Sequence, residues 1–199
     1  MAPDRADALL GFLTLADQLK HVLRKGRTLS AEGQARWENS AEHSWHVALA
    51  AVLLHGEVGF SVDLGRALAM IAAHDLVEIE AGDTFAFDAP GAATQAAREL
   101  AAADRIFATL PPDLGQPLRA LWEEFEAGES NEARFAMGCD RLQGFCQGVI
   151  SGGLAWRQAG VTVAQSARRM DPAAAVDPAF GALITRLRER AMDEALLVP

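Results

Sequence analysis

Apolar residues along this chain recur at intervals of three and four, while strict two-residue alternation is rare. The first pattern marks helices with one buried face; the second would mark half-buried strands. A helix over residues 6–24 is expected first, then a polar loop through GRTLSAEGQARWE that contains Gly26 and Gly33. Asn39 stands three residues before Glu42, the spacing of a capping box, and the apolar run that follows reaches Leu54. A further helix is expected over 63–80, starting at Asp63 and passing through Leu64, Leu68 and Ile71. After a loop with Gly82, Pro90 and Gly91, a helix over about 92–109 should stop at Pro111-Pro112. Helices also fit 113–127, 130–157 and 178–196, with Pro172 and Pro178 punctuating the linker MDPAAAVDP. No internal repeat is visible. The expectation is an all-α, single-domain helical bundle over residues 1–199.

Composition adjusts this picture little. The 199 residues are 50% hydrophobic, with no Tyr and four Trp, so the core must rest on Ala, Leu and Val. A net charge of −9 argues against duplex DNA or an acidic membrane surface as the main partner. A small phosphorylated substrate stays open, because it needs only one or two local cations. No window approaches the ~18 apolar residues of a membrane span. The N-terminal stretch has acids before its apolar run and no basic region, so a signal peptide is not expected. Cys139 and Cys146 lie one heptad apart without CxxC spacing, which reads as reduced core thiols and a reducing cytoplasm.

The candidate chemistry lies in MIAAHDLVEIEAGDTF, residues 70–85, where an apolar run ends in His74-Asp75 and acids follow at Glu78, Glu80 and Asp83. On one continuous helix, Glu78 would share a face with His74 and Asp75. His43 and His46 are one turn apart on the Asn39-capped helix. Asp140 sits in the apolar stretch RFAMGCDRLQGF, where a buried carboxylate needs a partner. Arg141 and a metal ion are both candidates. His21, His55 and Glu80 have no supporting context and read as ordinary residues.

Taken in order, His43, His74-Asp75, Glu78, Gly82-Asp83 and Asp140 resemble the HD-domain metal-dependent phosphohydrolase superfamily. The segments RWENSAEHSWHVALAA, HDLVEIEAGDTFAFD and EARFAMGCDRLQ are similar to its branch containing bacterial 5′-deoxynucleotidases, and the likeness covers roughly residues 10–170. The resemblance implies that His43, His74, Asp75 and Asp140 coordinate one divalent cation. That mixed N/O set suits Mn, Co, Ni, Fe or Zn, with Mg also open. It further implies that Glu78 and Asp83 handle the attacking water and the leaving group. Arg24 matches the position of a phosphate-binding arginine, with Arg27 and Arg36 as nearby alternatives. Where those deoxynucleotidases have a tryptophan after that arginine, this chain has Lys25, so a preference for deoxyribose stays open. Trp45 reads as core, and His46 as a residue supporting the metal site.

The resemblance therefore implies a metal-dependent phosphomonoesterase acting on a small phosphate such as a (deoxy)nucleoside 5′-monophosphate. One alternative is a regulatory HD protein that binds a nucleotide without turning it over, although such proteins usually lose a ligand or a catalytic acid. A diiron oxygenase is a distant third, since this chain has no histidine after His74. Related proteins are often dimers, which leaves a homodimer open.

Overall fold

The computed structural model describes residues 2–199. Helix α1 (Pro3–Ala16) runs into a 3-10 turn (Asp17–His21) and then a hairpin of β1 (Leu23–Leu29) and β2 (Ala35–Asn39). After it come α2 (Ser40–Leu54), α3 (Leu64–His74), a four-residue α4 (Glu78–Ala81), α5 (Ala89–Ile106) and α6 (Pro112–Ala127). The chain ends with α7 (Asn131–Ile150), α8 (Leu154–Ala159), α9 (Val163–Ala174) and α10 (Pro178–Asp193).

Side-chain caps fix several helix starts by satisfying backbone N–H groups that have no partner inside the helix. Asn39 Oδ1 accepts from the Glu42 N–H at 2.9 Å, while Glu42 Oε2 accepts from the Asn39 N–H at 3.3 Å. The capping box read from the sequence is therefore formed. Asp63, Asp88, Ser130 and Asp177 cap α3, α5, α7 and α10 in the same manner.

Helix α7 is the central post and packs against α2, α3, α6, α9 and α10. Its Phe135, Ala136, Cys139, Leu142, Phe145 and Val149 meet Val47 and Ala51 of α2, Met70 and Ile71 of α3, and Phe180 and Ile184 of α10 in one buried cluster. Small residues allow the close approach. A Cβ on Gly138 would lie 2.9 Å from the Phe180 ring. A second cluster joins Leu19, Leu76, Val77, Ile106, Phe107 and Trp122 beneath α5.

The all-α expectation holds for the body of the molecule, with local corrections. The expected loop after Gly26 is an antiparallel hairpin, paired from Leu23↔Asn39 to Leu29↔Ala35 with an irregularity between Leu23 and Arg27. The first helix stops at Ala16 because the chain must turn into that hairpin. The expected helix over 63–80 breaks after His74, where Leu76 N–H bonds to Ala73 O and Glu78 N–H to Asp75 O in tight three-residue turns. The expected helix over 130–157 is split by Gly152 and Gly153, both at φ +66°, a left-handed conformation that glycine adopts without steric cost. Helix α9 begins in a stretch given no element from the sequence and ends inside the expected linker MDPAAAVDP. Thr162 and Gln165 form the capping box that starts it, and Pro172, in its last turn, has no N–H to donate back to Arg168 O, two residues before the helix ends.

Candidate metal centre and its cavity

Four elements bring the chemistry together. Helix α2 supplies His43, the end of α3 supplies His74 and Asp75, α4 and the loop after it supply Glu78 and Asp83, and α7 supplies Asp140. The break after His74 leaves Asp75 outside the helix, with its carboxylate facing the same cavity. Donor atoms of His43, His74 and Asp75 lie within 4.8 Å of one another, and all three residues are buried. Asp140 Oδ1 is 2.9 Å from His43 Nε2, so all four residues converge. Together with Arg24 of β1, most of them line a cavity of about 350 Å³.

Hydrogen bonding around the two imidazoles fits a cation. The carboxamide NH₂ of Gln143 donates to Glu38 Oε1 at 3.0 Å and to His46 Nδ1 at 3.3 Å. Its Oε1 must therefore accept from His43 Nδ1–H, 2.5 Å away. In the neutral ring this leaves His43 Nε2 with only a lone pair, facing an acceptor oxygen of Asp140. His74 repeats the pattern: its Nδ1–H donates to Ile71 O at 2.7 Å, and its buried Nε2 has no hydrogen-bond partner. Two buried imidazole lone pairs aimed among carboxylates are what a divalent metal requires, and backbone or side-chain acceptors on the far nitrogens fix the tautomers that metal ligation uses. No comparable cluster of donors occurs elsewhere among the described residues.

The electrostatics are those of a crowded acidic cage. Burial and the positive charge of Arg24 push the His43 imidazolium down to about 4, so the ring is neutral at physiological pH. Burial raises Asp75 to about 8; Arg24 opposes this, and Asp140 and Asp83 add to it. Burial and the charge of Asp75 also hold Glu78 well above the usual carboxylate range. Burial would raise Asp140; the hydrogen bond and charge that a protonated His43 ring would supply bring it below that range, and with the ring neutral that positive charge must come from Arg24 and a bound cation. Arg24 joins the cage, with Nη1 3.3 Å from Asp75 Oδ2, 3.7 Å from Asp83 Oδ1 and 3.9 Å from Glu78 Oε1, and Nε 3.7 Å from Glu38 Oε2. Burial alone would lower its pKa; these acids raise it, so its charge is permanent.

Comparison with known proteins places this arrangement. The sequence profile of the HD-domain family, described as "HD domain", matches residues 16–177. The chain belongs to the HD-domain family. Human 5′-deoxynucleotidase HDDC2 is 31% identical over 138 residues, 69% of this chain and 65% of that protein. The mouse protein of the same name is 30% identical over 68% of this chain and 65% of its own length. The chain thus spans a little under two thirds of these curated relatives. Among solved structures, a protein from Magnetospirillum magnetotacticum MS-1 described as a predicted metal-dependent phosphohydrolase superposes with a TM-score of 0.89 at 39% identity, covering 98% of this chain and 96% of its own. A conserved hypothetical protein from Pyrococcus furiosus shares the fold, with a TM-score of 0.62 at 19% identity.

Within this HD domain most of the residues singled out from the sequence gather at one place, and some do not. Asp83 Oδ2 accepts from the Lys25 backbone N–H at 3.2 Å, tying the α4 loop to the hairpin. Arg27 lines the cavity but donates to Gln158 and stacks over Trp37. Arg36 is paired with Glu42 on the surface, outside the cavity. Glu80 pairs with Arg105, and His55 bonds to Val62 O. Asp140 finds its partner in His43; Arg141 has no pairing with it. Trp45, expected in the core, is 67% exposed, because the inward positions of α2 belong to His43, Val47 and Ala51. Sequence reasoning missed Glu38, Ser40 and Gln143. Ser40 Oγ donates to Glu78 Oε2 at 2.6 Å. The only sequence signal for Gln143 was its place one turn after Asp140 on an otherwise apolar face.

Proposed function

We propose that this HD-domain chain is a divalent-metal-dependent phosphohydrolase that releases phosphate from a small phosphomonoester, with (deoxy)nucleoside 5′-monophosphates the first class to test. The observation that carries this reading is the pair of buried Nε2 atoms of His43 and His74, whose far nitrogens face acceptors, converging with Asp75 and Asp140 beside Arg24. The names of the curated relatives and of the Magnetospirillum structure support it.

His43, His74, Asp75 and Asp140 would hold one cation. When bound, that ion supplies positive charge against the phosphoryl oxygens and makes water a better nucleophile at neutral pH. Arg24 offers a guanidinium for a phosphate oxygen. Glu78, whose carboxyl burial and the charge of Asp75 raise above the usual range, serves as the proton donor to the departing alkoxide, and the Ser40 hydroxyl donates to its Oε2 and orients it. Asp83 accepts the proton of the attacking water, steadied by the Lys25 N–H. The protein is expected to be cytoplasmic; no helix among the described residues is long and apolar enough to cross a membrane. Trp45, Leu49, Val52 and Leu53 form an exposed apolar stripe on α2 that supports a homodimer, which light scattering would test.

The deciding experiment is a phosphate-release screen over deoxy- and ribonucleoside 5′-monophosphates with Mn, Co, Ni, Fe, Zn or Mg. Turnover is expected with at least one pair. His74→Ala should lose the metal, whereas Glu78→Ala should retain it and lose ~100-fold or more in kcat. Full activity in Glu78→Ala removes that residue from its role, and metal bound without any phosphate release removes the enzymatic reading.

A further inference from the structure

The cavity extends well beyond the metal centre. Its lining includes the aromatic residues Phe85, Phe87, Phe145 and Trp156 and two further arginines, Arg141 of α7 and Arg169 of α9. Both are half-buried. The chain has 27 acids against 18 basic residues, so a guanidinium has no shortage of carboxylates to pair with. Arg24 faces four of them, and Arg27 is held by Gln158 and Trp37. No ion pair or hydrogen bond to Arg141 or Arg169 occurs among the described residues.

The neighbours make this absence informative. Arg169 comes from α9, which packs against α7, and on α7 Arg141 directly follows the Asp140 carboxylate. That carboxylate already faces His43 and is a proposed metal ligand. Two like charges on one cavity wall, with no acid among the described residues within ion-pairing distance of either, are costly unless an anion completes them. A phosphate dianion matches two guanidiniums in both charge and hydrogen-bonding geometry, whereas a carboxylate would leave one positive charge over.

We propose that Arg141 and Arg169 form a second anion subsite, so that the preferred substrate is a phosphomonoester carrying a further phosphate, which stays on the product. The proposal rests on the phosphohydrolase reading for its chemistry, but the subsite itself needs no metal. The phosphate to be cleaved lies at the metal centre beside Arg24, the body of the substrate lies along the aromatic wall, and the retained phosphate lies between Arg141 and Arg169.

The test compares deoxyadenosine 5′-monophosphate with deoxyadenosine 3′,5′-bisphosphate on the metal-loaded full chain. The bisphosphate should have the higher kcat/KM by about tenfold or more, mainly through KM, the scale of one to two charge-assisted hydrogen bonds. In Arg141→Gln/Arg169→Gln that preference should collapse toward unity, while Arg141→Lys/Arg169→Lys should keep part of it. Equal kcat/KM for the two compounds, or a preference that the Gln variant retains, overturns the subsite. Calorimetric titration of chelator-treated protein with the bisphosphate separates the two claims. Binding that the Gln variant weakens about tenfold, with no hydrolysis under any metal, supports the subsite and sinks the phosphohydrolase reading. Monophosphate hydrolysis without any gain from the second phosphate in either assay does the reverse.

Discussion

At the scale of single residues, Gln143 illustrates how little of a site lies in its ligands. Its NH₂ group faces the Glu38 carboxylate, which needs a donor, so its Oε1 faces His43 and draws the proton of that ring onto Nδ1. Gln143→Leu removes that constraint and leaves Glu38 without its donor. Metal affinity should fall about 10–100-fold, as measured by competition with a chromogenic chelator on protein whose helicity is intact. An unchanged affinity would show that His43 is oriented by packing alone. The proposed ligands and Arg24 are legible in the sequence only through the resemblance to the HD-domain family, which histidines and acids at the ends of apolar stretches make visible. Glu38, Ser40 and Gln143 could not, since a buried glutamine or a serine at a helix start is unremarkable until its partner 38 to 105 residues away is known.

At the scale of elements, helices announced themselves where an apolar stripe and a cap agreed, as in α2 and α3. The hairpin did not. Its strands LRKGRTL and ARWEN hold few apolar residues, and apart from Glu38 their positions are exposed or half-buried, so no two-residue period was available to read. The break after His74 was hidden for the opposite reason, because local turns and a helix share the same apolar spacing. Helix α5 turns a buried acid, Glu99, toward the cavity, where Gln95 Nε2 donates to it at 2.7 Å. Burial raises Glu99 above the ordinary 4.5; Gln95 and Arg98 oppose this, and Asp83 adds to it. The folded chain thus holds the Glu99 proton more tightly than the unfolded chain does. Its contribution to stability is greatest below pH 4.5 and is lost as pH rises through the raised value. Glu99→Gln should therefore melt higher than the parent at pH 8 and show a smaller difference at pH 5, both in chelator-treated protein. An equal difference at the two pH values would count against a raised carboxyl at this position.

At the scale of the molecule, α7 and α8 fold back on each other and both contribute to the cavity wall. Trp156 lies so close over Gly148 that an added Cβ would fall 2.1 Å from its ring, while the same ring forms part of the cavity wall. Gly148→Ala must displace Trp156 and should cost about 1–3 kcal/mol, read from the urea midpoint; an unchanged midpoint would show that α8 can shift freely. The same connectivity gives the metal centre a second meaning. His43 and Asp140 are 97 residues apart in sequence, one on α2 and the other on the central post α7. To the polymer, a cation gripped by both is a removable cross-link that closes a very long loop. Loading or stripping the ion would then tighten or release the whole bundle, much as a reducible staple does.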